Sequence, residues 1–319
     1  MRPVNIVPDA SIYDLGIECI GTSADWFRQR LDQAGVALDA GSELAIALKL
    51  LEEVRQKSQM AETFRFPKPA DAQAYHLRAS GADFLTKALH RGQLSGLVGF
   101  DNHFCDLRRG DPILTGPGSK STTPRNKSWE LLLASLASTF SSNVCSAEPD
   151  VVCEFQGRKV GLAAKVLYSR EPDAHLDRIK EGARQIDKSS ADVGFVVVNL
   201  VELFPHAEMF QNFVDSDVTN GEQARRILNG WVSAFMAQYN LEGWAHRLRE
   251  TTKLLSVLFF LPTVIHVHGL VTPMVPYYRI HVISRAGKEG EAEPFEVALN
   301  GACQRVLGYR SDFSEGALQ

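Results

Sequence analysis

The chain predicts an α/β fold, a mixed sheet flanked by helices, preceded by a helical N-terminal region. Three observations carry that prediction. Apolar residues recur at helical spacing through most of the first hundred positions. Between about residues 126 and 200 the pattern runs helix, strand, turn, strand, helix, strand. The last of these, Gly194-Phe-Val-Val-Val-Asn-Leu200, is a β-branched run after a helix, as expected of a strand covered on both faces.

Ser23 caps a first helix that Gly35 closes. Gly41-Ser42 opens a second, with Leu44, Ile46, Ala47, Leu50, Leu51 and Val54 on its apolar side. A third spans about Ala70 to His90, with a kink or break at Gly81. The stretch GDPILTGPGSKSTTPRN, Gly110 to Asn126, has linker composition and sets a domain boundary near residue 120. This gives a mainly helical domain over 1–120 and an α/β domain over 121–319. A helix from Asn126 to about Ser141 follows, carrying Trp129, Leu132, Leu133, Leu136 and Phe140. Asp150 to Phe155 is a strand, Gln156 to Lys159 a turn on Gly157, and Val160 to Tyr168 a second strand, together a hairpin. Pro172 begins a helix to about Ser189, and the strand to Leu200 completes the unit. Gly221 to about Thr252 reads as a long helix or helix pair with Trp231, Phe235, Tyr239 and Trp244 in its core. Two strands are expected between Thr263 and Ser284.

Composition limits the functional classes. With 319 residues and 45% hydrophobic content, a sizeable core is available. The net charge of −4 does not advertise a polyanion partner, although local potential matters more than the total. Five scattered cysteines without a CxxC pair argue against a zinc ribbon or a disulfide framework. The N-terminus lacks the basic start and apolar run of a signal peptide. The most apolar stretch, Leu254 to Val275, is interrupted by Pro262, His266, His268, Gly269 and Pro273. A cytoplasmic protein without a membrane partner is expected.

The hairpin supplies the chemistry. Side chains two apart share a face, so Asp150, Val152 and Glu154 point one way, and Ala163 and Lys165 share a face of the second strand. Pairing about Gly157-Arg158 would bring an acid and a lysine together. Lys165, flanked by Leu162, Ala163, Ala164, Val166 and Leu167, must find an anion or a route to water. A carboxylate that holds Mg²⁺ beside an ammonium that orients water is what phosphodiester hydrolysis requires.

The stretch from Arg125 to Leu203 resembles the PD-(D/E)XK, restriction-endonuclease-like nuclease superfamily. Trp129-Glu130 on the first helix, Pro149-Asp150 opening the hairpin and Lys165 in Gly161-Leu-Ala-Ala-Lys carry the resemblance, over about eighty residues. It implies that Asp150 binds Mg²⁺ or Mn²⁺ with help from Glu130, that Lys165 acts on the attacking water, and that Gln185 lies near the nucleic-acid backbone. The family's second acid falls two residues before the lysine, and here that position is Ala163, which cannot hold a metal. Either the acid has moved, to Glu130 first and otherwise Glu181 or Glu154, or the chain carries an inactivating change, or catalysis is lost and binding kept. Arg125, Lys127, Arg158 and Lys159 are candidates for phosphate contacts flanking the cleft. His266 and His268 alternate at a metal-compatible spacing, with His281 the nearest further histidine.

The expected activity is therefore a Mg²⁺-dependent DNA endonuclease, in defence or repair, and a homodimer would suit cutting of both strands. The alternative is a catalytically silent nuclease-fold protein that binds nucleic acid or a protein. No P-loop, GxGxxG after a strand, or GxSxG elbow points elsewhere.

Overall fold

A computed structural model describes residues 23–59, 69–94, 99–114, 122–239, 248, 251–266, 268, 274–285 and 287–307. The first helix, α1 (residues 23–33), ends where Gly35 takes a φ of +69°. Here the Val36 N–H donates back to the Leu31 carbonyl, the helix-closing turn that glycine allows. Ser42 caps α2 (Glu43–Gln59) by accepting the Ala45 N–H at 3.2 Å. The third helix, α3 (Pro69–Leu94), runs without the break expected at Gly81. Helix propensity disfavours a mid-helix glycine by only about 1 kcal/mol. Burial of the neighbouring Ala82, Phe84, Leu85 and Leu89 outweighs it. A short α4 (Asp101–Leu107) precedes α5 (Thr123–Ser138). At Gly92 a Cβ would lie 2.5 Å from the Ser135 hydroxyl oxygen, so glycine sets the close crossing of α3 on α5.

Six strands form one sheet in chain order: β1 (Ser142–Ala147), β2 (Asp150–Phe155), β3 (Arg158–Val166), β4 (Val193–Asn199), β5 (Leu254–His266) and β6 (Met274–Ser284). The first three form an antiparallel meander, and β4 is parallel to β3 through the crossover helix α6 (Pro172–Lys188). A second crossover, α7 (His206–Asp215) and α8 (Gly221–Met236), leads to β5, parallel to β4, and β6 returns antiparallel. The last helix, α9, is Glu289–Leu307. The β2–β3 turn places Gln156 at φ +51° and Gly157 at φ +74°, the two-residue geometry that matches strand twist.

The short helix α4, the edge strand β1, helix α7 and the last helix α9 lie outside the sequence expectation, whereas β5 falls in the apolar stretch from Leu254 that suits core strands. The expected helix around Trp244 falls outside the described residues.

Alternation along the strands builds a core on each face. Leu162, Ala164 and Val166 of β3, with Phe195 and Val197 of β4, face α5 and the N-terminal helices. Ala163 and Leu167, with Val196 and Val198, face α6, α7 and α8. The expected boundary near residue 120 has no counterpart in this packing. One apolar cluster runs from Phe27, Leu44 and Phe84 to Trp129, Phe195 and Phe260, and a small separate cluster holds Ala24, Ala47, Leu51, Ala82 and Ile113. The linker-like stretch itself contributes buried Asp111, Ile113 and Leu114. Among the described residues no helix is long and apolar enough to cross a membrane.

Candidate active site

Asp150 is the first residue of β2, and its neighbours Val151 and Cys153 belong to the α5-side core, so its own side chain turns to the α6 side. There it meets Lys165. Register explains the meeting: Val151 pairs with Leu162, which puts Asp150 opposite Ala163 and one alternation from Lys165. Gly161 lets the chain before Asp150 lie close, since a Cβ there would come within 3.0 Å of the Pro149 ring. The Asp150 Oδ2 accepts the Ala164 N–H at 2.8 Å and the Lys165 ammonium at 3.3 Å. The other oxygen, Oδ1, has no donor among the described residues.

Lys165 is 4% exposed, and its stem runs beneath α6 at Gly182, where a Cβ would lie 3.2 Å from Lys165 Cε. Ala163, where the resemblance implies a second acid, is fully buried and packs against that same glycine. A carboxylate at 163 would have to enter the helix–sheet interface.

Glu130 approaches from α5, on the other face of the sheet, close enough for its charge to act on Asp150. Burial above all pushes the Asp150 carboxyl up to about 6. Lys165 and the Ala164 N–H oppose the rise and the Glu130 charge adds to it. For Glu130 burial also acts upward, but hydrogen bonds from His103 and Lys127 win and hold it below the usual carboxylate value. His103 Nε2 lies 2.7 Å from Glu130 Oε2, and the Lys127 ammonium donates to Oε1 at 2.9 Å and Oε2 at 2.8 Å.

Of the expected site, the structure pairs Asp150 with Lys165 and, separately, Glu130 with Lys127. It adds His103, which the sequence did not single out because it stands 27 residues from its partner on a short helix. Gln185 lies on α6 one turn beyond Gly182, and its Oε1 is buried with no donor among the described residues.

The remaining basic residues are elsewhere. Arg125 is fully buried and ion-paired with Asp111 at 3.2 Å and Glu202 at 2.5 Å, so it ties two loops together and has no surface to offer a phosphate. Arg158 and Lys159 sit at the hairpin turn, about 20 Å along β3 from Lys165. There they bond Glu291 and Ser190. Of the other acids considered, Glu154 bonds Asn143 and pairs across the hairpin with Lys159, while Glu181 is paired with Arg178 at 2.6 Å. His266 ends β5, and His268 beyond it pairs with Asp217 at 3.1 Å. Phe235 and Tyr239 lie in the α6-side core with Trp231 against it.

No protein-family model, curated protein or solved structure matches this chain. The site must be read from its own chemistry. Among the described residues no three of His, Cys, Asp and Glu converge as metal ligands. The two carboxylates present are hard oxygen donors, and Mg²⁺ commonly takes one or two carboxylates and keeps several waters. Asp150, with one open oxygen and an ionised form that burial and Glu130 both disfavour, fits such a cation; Glu130 fits only once its oxygens are uncovered.

Proposed function

We propose that the chain is a divalent-metal-dependent nuclease, a Mg²⁺ or Mn²⁺ endonuclease hydrolysing DNA phosphodiester bonds. The observation that carries this reading is the Asp150 carboxylate and the buried Lys165 ammonium on one sheet face, 3.3 Å apart. The strand order supports it as well: the meander β1–β2–β3 followed by α6 and a parallel β4 follows the order of the resemblance drawn from Trp129 to Leu200. Asp150 and Glu130 would hold the cation, which when bound polarises a phosphoryl oxygen and acidifies a water. Lys165 orients that water and offsets charge building on the phosphorus oxygens. Burial strengthens both effects, because the ammonium works in a low-dielectric setting. Gln185 and Lys127 would contact the backbone of the substrate, as the resemblance implies for Gln185. A homodimer would place two such sites on the two strands of a duplex. The four described cysteines are free thiols, which supports a reducing compartment such as the cytoplasm.

A second reading has its own support. Ala163 takes the place of an acid, and both Glu130 oxygens are engaged, so a silent nuclease-fold protein that binds nucleic acid is the competing conclusion. Incubating plasmid DNA with the protein over a Mg²⁺ and Mn²⁺ series separates the two. Nicking or linearisation that disappears in Asp150→Ala and Lys165→Ala is expected. Retardation of the DNA without cutting, unchanged by metal, would establish the silent reading instead.

A further inference from the structure

Glu130 and Asp150 differ in a way that the hydrolytic reading alone does not require. Asp150 presents an open oxygen, whereas Glu130 is closed on both of its own. The closure is uneven. Oε2 is shared by His103 and Lys127, but Oε1 is held by Lys127 alone among the described residues. The two partners differ in exposure. The His103 side chain is 10% exposed, while that of Lys127 is 31% exposed and reaches Glu130 from one turn away on the same helix. A change of rotamer carries a lysine head from such a position into solvent without moving the backbone. His103 would remain and keep Glu130 oriented. The atom then uncovered is Oε1.

Resting on the reading of this site as a metal-dependent centre, we propose that Lys127 is a latch on Glu130. Its ammonium covers Glu130 Oε1 and must lift away before Glu130 can serve as a second oxygen donor. An entering polyanionic backbone supplies the pull, because a phosphate oxygen competes with Glu130 for the same ammonium. Metal and nucleic acid therefore bind cooperatively, each raising the affinity for the other by the same factor. The device keeps the centre from assembling until substrate is in place. Lys127 acts here as a positioning residue, through Glu130, and not on the reacting atoms.

Titrating Mn²⁺ into the full chain, with free Mn²⁺ read by electron paramagnetic resonance, measures the latch without any turnover. Lys127→Met should bind Mn²⁺ about tenfold tighter than the wild type, the order expected when a competing ion pair is removed. The same substitution should change nothing in a Glu130→Gln background, whereas a general field effect of the lost charge would persist there. A short phosphorothioate duplex should tighten binding in the wild type and leave Lys127→Met unaffected. Lys127→Gln repeats the test if Lys127→Met folds poorly. Equal affinities for wild type and Lys127→Met, or a gain that survives in Glu130→Gln, with binding still abolished by Asp150→Asn, overturn the latch and leave the metal centre standing. No Mn²⁺ bound by wild type or Lys127→Met overturns the metal centre and the latch together.

Discussion

Asp150 and Lys165 illustrate how a buried charge is tolerated. The ammonium is shielded from water by α6 and the sheet, and its one described acceptor is an oxygen that also caps the Ala164 N–H. The carboxyl of Asp150 is in turn raised by burial to about 6 from its ordinary value of 3.8. Between those two values the folded chain keeps a proton that the unfolded chain releases, so this group makes the protein less stable as pH rises from about 4 to about 6. Asp150→Asn lacks that loss. The stability of the wild type relative to Asp150→Asn should therefore fall across that window by at most about 3 kcal/mol and level off above it. Urea midpoints measured at half-unit pH intervals check the slope, whatever the offset between the two proteins. At this scale the sequence was informative where a residue was out of character with its surroundings. Lys165 stands in an apolar run and could be singled out, as could Asp150 from the hairpin register. His103 could not, because nothing local links a histidine on a seven-residue helix to a glutamate in the next one. Arg125 misled for the opposite reason, since a basic residue beside a polar stretch gives no sign that Asp111 and Glu202 will bury it.

Among the elements, α6 matters most to the site, and glycines decide how closely it and β4 approach. A Cβ at Gly194 would fall 2.4 Å from the Gly161 carbonyl oxygen and 2.7 Å from Ile186, so β3, β4 and α6 would all have to shift. Gly194→Ala should therefore cost about 3 kcal/mol or more. Gly157→Ala meets open space and suffers only from its φ of +74°, a cost of about 1 kcal/mol. Chemical denaturation of the two variants should rank them in that order. The strongly patterned elements, β2, β3, α6 and β4, could be located in the sequence within a residue or two. The polar edge strand β1 could not: SNVCSA is largely exposed, and a register irregularity between Ser142 and Cys145 removes the alternation that betrays a strand. The uninterrupted α3 shows tertiary packing overriding the local signal of Gly81.

For the whole molecule, one apolar cluster spans both expected domains, and cooperative unfolding is predicted. Phe84 of α3 stacks at a tilt against Phe260 of β5 with ring centroids 6.2 Å apart, and both are almost fully buried. Phe84→Ala should cost about 3–5 kcal/mol. The loss should appear equally in tryptophan fluorescence and in far-ultraviolet circular dichroism, with coincident transitions. An independent N-terminal domain would instead show two transitions, only one of them shifted. Gly, Pro and Ser mark an irregular backbone and not its depth, and Asp111, Ile113 and Leu114 of that stretch are buried.

A Mn²⁺ ion held at Asp150 can be located directly. Crystals grown with a short DNA duplex and soaked in Mn²⁺ locate the ion by its anomalous scattering. The account predicts a peak about 2.1 Å from Asp150 Oδ1, with Lys165 Nζ facing the scissile phosphate and Lys127 turned away from Glu130. Bound DNA with no peak at Asp150, or a peak at another cluster of donors, would contradict it.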